Sequence, residues 1–322
     1  MKMRKLLYGL FVLALVAVLL EAAVRVAYPG LTGKAETMQF TNPHRDQPDG
    51  FVRDPVLFWK LRPSNPIWQV NEAGYRGPLR PREKPAGTLR ICCLGDSCTF
   101  GLGAPPLDYE QTYAAHLENL LNEKMERPVE VLNFGCPGYT SYQGRKLLEL
   151  KVLDYQPDVV TAYFGINDGF PAVGYPDAEQ RPMASAPGWI GSLQGALRNS
   201  AFYLLLTQGV TWARRAAGEE DVFRVSYDEF RANAAAMRKM GKQSGFRMLF
   251  IPAFYIDEQS DLSMEQISNV EPLVPLEKAL RESGKKATEL YYPPPDRVHP
   301  TAAGHRVIAE VLASQITALY PQ

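Results

Sequence analysis

The sequence predicts an α/β protein built on a doubly wound parallel sheet, and two observations carry that expectation. From residue 89 onward, short apolar runs at 91–94, 129–132, 159–164 and 248–251 alternate with longer segments of helical periodicity. Within each run the apolarity is nearly unbroken rather than alternating, as suits strands covered by helices on both faces. Average apolar content, 46% of 322 residues, and an equal count of 35 basic and 35 acidic residues fit a folded enzyme-sized domain. That balance speaks against a nucleic-acid partner, which would call for a basic excess.

Taken in order, the chain opens with Lys2, Arg4 and Lys5 ahead of an uncharged, mostly apolar stretch over 6–20, followed by Glu21 and Arg25. The twenty helical steps from Lys5 to Arg25 cover about 30 Å, the thickness of a hydrocarbon core, once both basic side chains snorkel outward. Basic residues before an apolar run follow the positive-inside pattern, and Glu21-Ala22-Ala23 is a poor cleavage site. Residues 1–28 therefore read as an uncleaved membrane anchor rather than a signal peptide. The remainder is then membrane-anchored and extracytoplasmic.

Residues 29–88 are rich in Pro, Asn, Asp and Arg and read as an extension wrapped on the main domain, with a linker over 81–87. Short strands are expected at 56–59 and 67–70, with a turn over 71–77. The main domain spans 89–322. Its helical segments lie near 110–125, 141–153 and 226–244, the last opening on the capping box Ser226-x-x-Glu229. A closing helix presents Val307, Ile308, Val311, Leu312, Ile316 and Leu319 on one face. Residues 169–225 are too long for a simple connection and read as a helical cap insertion over the strand ends.

The loops that follow the strands carry the chemistry, as ligand sites in open α/β sheets do. They hold Gly95-Asp96-Ser97, then the run from Asn133 through Gly135 to Gly138, then Gly165-Ile166-Asn167-Asp168. Asp296 and His299 stand three apart just before the closing helix. A serine nucleophile needs a base, the base needs an acid to fix its tautomer, and the oxyanion needs donors already in place. Asp96 and Asp168 read as structural acids, Thr99 as a capping or packing residue, and His305 as a packing or capping histidine. The cysteines Cys92, Cys93, Cys98 and Cys136 read as buried thiols, with a Cys98–Cys136 disulfide as the one alternative.

Together, in this order, the four loops resemble the SGNH/GDSL hydrolase family over roughly residues 89–320. Ser97 matches its nucleophile, Gly135 its second-block glycine, Asn167 its asparagine, and Asp296 with His299 its Asp-x-x-His block. The resemblance implies a flavodoxin-like three-layer α/β/α sandwich and ester chemistry with neither metal nor organic cofactor. It implies Ser97, Asp296 and His299 as catalytic residues, and an oxyanion hole made by the N–H groups of Ser97 and Gly135 with the Asn167 amide. Thr99 in place of a glycine, and an acid and base only three residues apart, distinguish the pattern from the α/β-hydrolase elbow. The expected partner is an acylated small molecule or glycan. An O-acyltransferase using the same acyl-enzyme, and a non-catalytic glycan-binding module, are the alternatives.

Overall fold

The computed structural model describes residues 2–27, 50–103, 107–172, 176–179, 200–203, 205–206, 209 and 222–321. Helix α1, Lys2–Ala27, is apolar almost all round and exposes Leu7, Phe11, Leu13 and Val18. Its stretch Leu7–Ala27 is long and apolar enough to cross a membrane.

A hairpin follows, β1 (Phe51–Asp54) antiparallel to β2 (Phe58–Leu61). The strand expected over 56–59 thus begins at Phe58 and pairs with residues 51–54, where no strand is expected from the sequence. The Asp54 carboxylate explains the shift: it accepts the N–H groups of Val56 and Leu57, which folds those residues into the turn. Residues 67–69 form a turn rather than a strand, with Ile67 in solvent, and Val70 makes isolated bridges to Asn65 and Arg76. The turn over 71–77 is present, with Asn71 Oδ1 accepting from Ala73 and Tyr75. Arg76 then pairs with Asn133, so the described part of the extension, 50–88, lies against the main domain. Residues 29–49 lie outside the described residues.

The central sheet is formed by β3 (Leu89–Gly95), β4 (Val129–Gly135), β5 (Val159–Tyr163) and β6 (Arg247–Ile251), all parallel, in the order β4-β3-β5-β6. Alternate residues feed two cores. Ile91, Cys93, Val131, Val159 and Leu249 face α3 (Tyr113–Lys124) and the closing helix α8 (Ala302–Leu319). Cys92, Leu94, Leu132, Val160 and Phe250 face α4 (Ser141–Leu150) and α5 (Tyr227–Ser244). Both faces are dry, which is why the strands lack alternation. The result is the three-layer sandwich with the 2-1-3-4 strand order of flavodoxin-like sheets. Cys98 belongs to one core and Cys136 to the other, and all four thiols are free. The disulfide alternative is thereby overturned.

Between β6 and α8 run a small hairpin, β7 (Phe254–Ile256) with β8 (Leu262–Met264), and two short helices, α6 (Leu276–Glu282) and α7 (Ala287–Leu290). The ends of the expected cap insertion pair with each other: Pro171 bridges Phe223, and Val225 N–H donates to Asp168 O. Most of its interior, 180–199 and 210–221, lies outside the described residues, Trp189 and Trp212 included.

Candidate active site

β3 is flanked by β4 on one side and β5 on the other, so the chain leaves it in opposite directions to reach its neighbours. That reversal opens a crevice above the strand's C-terminal end. Ser97 stands there as the first residue of a single helical turn, α2 (Ser97–Phe100). Asp96 caps the turn by accepting Cys98 N–H, and Gly101, at φ +88°, ends it. Gly95 lets the strand turn so sharply, since a Cβ there would overlap the Thr99 hydroxyl. Thr99 itself packs, its Oγ1 3.1 Å from the Tyr113 hydroxyl.

His299 arrives from just before α8. Its Nε2 lies 2.8 Å from Ser97 Oγ and its Nδ1 2.8 Å from Asp296 Oδ1. With Nδ1–H donated to the carboxylate, Nε2 is left as the acceptor of the serine proton. The Asp296 carboxylate also accepts the N–H groups of Val298 and His299, which folds acid and base into one tight turn through Arg297 at φ +66°. Ile256 N–H of β7 grips Arg297 O, and Tyr292 N–H grips His299 O. Burial opposes charge on Asp296, but the hydrogen bonds and charge of His299 outweigh it and hold this carboxyl below its ordinary range. All three groups retain partial access to solvent: Ser97 is 8% exposed and the His299 and Asp296 side chains 16% and 13%.

The loop after β4 differs from the sequence expectation at one residue. Gly135 ends the strand and donates its N–H to Asn133 Oδ1 at 2.9 Å, so that hydrogen is already taken. Its lack of a side chain serves packing, because a Cβ would overlap the backbone of Thr99 and Phe100. The free donor lies three residues on. Cys136-Pro137-Gly138-Tyr139 is a turn closed by Tyr139 N–H to Cys136 O, with proline second and Gly138 third at φ +81°, the type II pattern. Among the described residues no acceptor takes the N–H of Gly138 or of Ser97. A Pro-Gly dipeptide is a sequence signal for such a turn, though not for which N–H stays free.

Asn167 follows β5 and reaches back to the crevice, where Nδ2 donates to Asp96 Oδ2 (3.1 Å) and Tyr139 O (3.0 Å). It thereby ties the nucleophile turn to the Gly138 loop, and it can serve an oxyanion only by sharing those hydrogens. Asp168 is structural, accepting Ser141 N–H and Oγ–H. Burial pushes Asp96 up to about 6 and Asp168 up to about 7. His305 is fully buried, accepts Tyr113 N–H at Nδ1, and is driven down to about 3 by that burial.

Comparison with known proteins places this geometry in a wider setting. Residues 93–307 match the model of the GDSL-like lipase/acylhydrolase family. Among solved structures, a lipase/acylhydrolase from Enterococcus faecalis is similar at 17% identity, covering 72% of this chain and 96% of that one, with a TM-score of 0.46. The acetylxylan esterase Axe2 from Geobacillus stearothermophilus is similar at 20% identity, covering 71% of this chain and 94% of that one, also at 0.46. An α/β hydrolase enzyme, LAE5, from the Lake Arreo metagenome shares 18% identity, covering 74% and 98%, again at 0.46. No curated protein sequence matches.

Proposed function

The chain belongs to the GDSL-like lipase/acylhydrolase family and is an ester-hydrolysing enzyme, and from that premise we propose that Ser97, His299 and Asp296 carry the reaction through an acyl-enzyme. The observation that carries this reading is the relay from Ser97 Oγ through the His299 ring to Asp296, 2.8 Å at each step. His299 Nε2 takes the hydroxyl proton as Oγ attacks the ester carbonyl, and Asp296 stabilises the imidazolium. The tetrahedral intermediate then collapses, its leaving alkoxide taking the proton from His299, and water repeats the sequence to release the acid. The oxyanion is received by the N–H groups of Ser97 and Gly138, with the Asn167 amide as the third donor.

The substrate proposed is an acyl ester, acetyl or another short chain, on a cell-envelope or secreted glycan. What supports it is α1: Lys2, Arg4 and Lys5 before the apolar span favour a catalytic domain on the extracytoplasmic side. The full-length chain in detergent, treated with a fluorophosphonate and mapped by mass spectrometry, should carry its adduct on Ser97. It should also release acid from p-nitrophenyl acetate, and Ser97→Ala should not. Equal turnover by both forms would overturn the mechanism. Repeating the reaction with an added oligosaccharide acceptor separates hydrolysis from transfer, since a transferase would move the acyl group to the sugar.

A further inference from the structure

The turn that holds Gly138 is gripped from three sides by side chains from distant parts of the chain. Its consecutive carbonyls, Pro137 O, Gly138 O and Tyr139 O, accept from Trp59 Nε1 (3.1 Å), Arg224 Nη1 (2.8 Å) and Asn167 Nδ2 (3.0 Å). Trp59 lies on β2 in the N-terminal extension, and Arg224 on the returning arm of the insertion. Neither β2 nor the stretch around Arg224 is a strand of the central sheet.

Trp59 acts on the peptide that matters. Pro137 O and Gly138 N–H belong to one planar trans unit and point in opposite directions. Fixing the carbonyl on the indole therefore fixes where the N–H points. The alternative is real, because type I and type II turns differ mainly by rotation of this central peptide, which would carry the N–H to the other side. Trp59 is itself held, 3% exposed, with its carbonyl taking the Tyr139 hydroxyl at 2.6 Å. Arg224 is equally constrained. Its side chain is 2% exposed, and its guanidinium pairs with both oxygens of buried Asp177 (3.2 and 2.9 Å) and sits over the Trp59 ring. Asp177 in turn takes the Thr140 hydroxyl at 2.7 Å, and Gln143 bonds both Arg224 Nη2 and Leu57 O.

We infer that Trp59 and Arg224 are positioning residues for ester hydrolysis: from the extension and the insertion they hold the Pro137 and Gly138 carbonyls, and so aim the Gly138 N–H at the oxyanion. The inference rests on the reading of Gly138 as an oxyanion donor. It makes both appended segments part of the catalytic apparatus, although neither touches substrate through these residues.

The test uses the full-length chain in detergent with p-nitrophenyl acetate as substrate and phenylboronic acid, which forms a tetrahedral adduct on a serine, as a transition-state mimic. Trp59→Phe removes the donor and keeps most of the ring; Arg224→Lys keeps the charge and loses the fork. A misaimed donor acts on the transition state alone, so Trp59→Phe should lower kcat about tenfold or more, with KM within about twofold. Affinity for the boronic acid should fall in parallel, and Arg224→Lys should move both quantities the same way by less. If both variants melt like the wild type and keep its kcat and boronate affinity, or lose only KM, the inference is overturned. Should Trp59→Phe fail to fold, Arg224→Lys decides by the same criteria. A wild-type chain lacking Ser97-dependent turnover would instead overturn the parent mechanism, and this one with it.

Discussion

Asn167 has the most sharply defined duty of any single residue beyond the Ser97 relay. Its one amide nitrogen serves Asp96 Oδ2 and Tyr139 O. In the proposed mechanism an oxyanion adds a third acceptor only while the tetrahedral intermediate exists. Asn167→Ala should therefore lower kcat by about 10²–10³-fold, the usual cost of one oxyanion donor, with KM little changed. Steady-state kinetics on a chromogenic ester check this, and a loss confined to KM would remove Asn167 from the hole. Gly135 obeys a different logic. Its Cβ would overlap backbone atoms of Thr99 and Phe100, which cannot swing aside as a flexible side chain could. Gly135→Ala should lower melting temperature and kcat together by displacing α2, a pattern separable from that of Asn167→Ala by calorimetry alongside kinetics.

Among the elements, α5 shows how far local sequence signals reach. Ser226 Oγ accepts Glu229 N–H, and Glu229 Oε2 accepts Ser226 N–H at 2.8 Å, so the capping box read from the sequence is formed. Ser226→Ala should cost about 1 kcal/mol of stability with kcat unchanged, measurable by urea titration. The four strands were legible for a similar reason: two buried faces leave an unbroken apolar run in the sequence itself. Ser97, Asp296 and His299, the residues of the proposed relay, stood out in the sequence by residue type and spacing, and the fold brings them within 2.8 Å of one another in turn. The donor in the β4 loop was not. Gly135 and Gly138 are both plausible by type, and what separates them is the Asn133 side chain, which occupies one N–H and leaves the other. Trp59 and Arg224 were out of reach too, since their partners lie about eighty residues away in sequence and meet only through the fold. The β1–β2 hairpin was half read because the Asp54 carboxylate, rather than apolar periodicity, decides where β2 starts.

Across the whole molecule, the apolar N-terminal helix and the insertion are joined: Glu21, near the end of α1, accepts from Ser200 Oγ (2.6 Å), Ala201 N (2.8 Å) and Phe202 N (3.1 Å). Described residues of the insertion thus touch both α1 and the Gly138 loop. Stability of such an assembly should depend on pH through its buried titrating groups, and their signs differ. Burial raises Asp96 to about 6 and Asp168 to about 7, while both carboxyls titrate near 3.8 once unfolded. Between about pH 4 and 7 the folded chain therefore keeps protons the unfolded chain has released, and their contribution to stability falls as pH rises. His305 runs the other way. Its folded value, about 3 against 6.5, means that the unfolded chain gains a proton the folded chain refuses, so stability is lost as pH falls below about 6.5. Two carboxyls oppose one imidazole in the shared window. These three groups together should favour the folded state more at pH 5 than at pH 8. Asp168→Asn retains an acceptor for Ser141 and cannot titrate, so in urea unfolding it should lose much of that acid-side gain. His305→Gln should enlarge it. An Asp168→Asn variant whose stability difference between pH 5 and pH 8 equals the wild type's would show that Asp168 is already ionised in the fold, with Arg224 and the Ser141 hydrogen bonds sufficient to hold its charge.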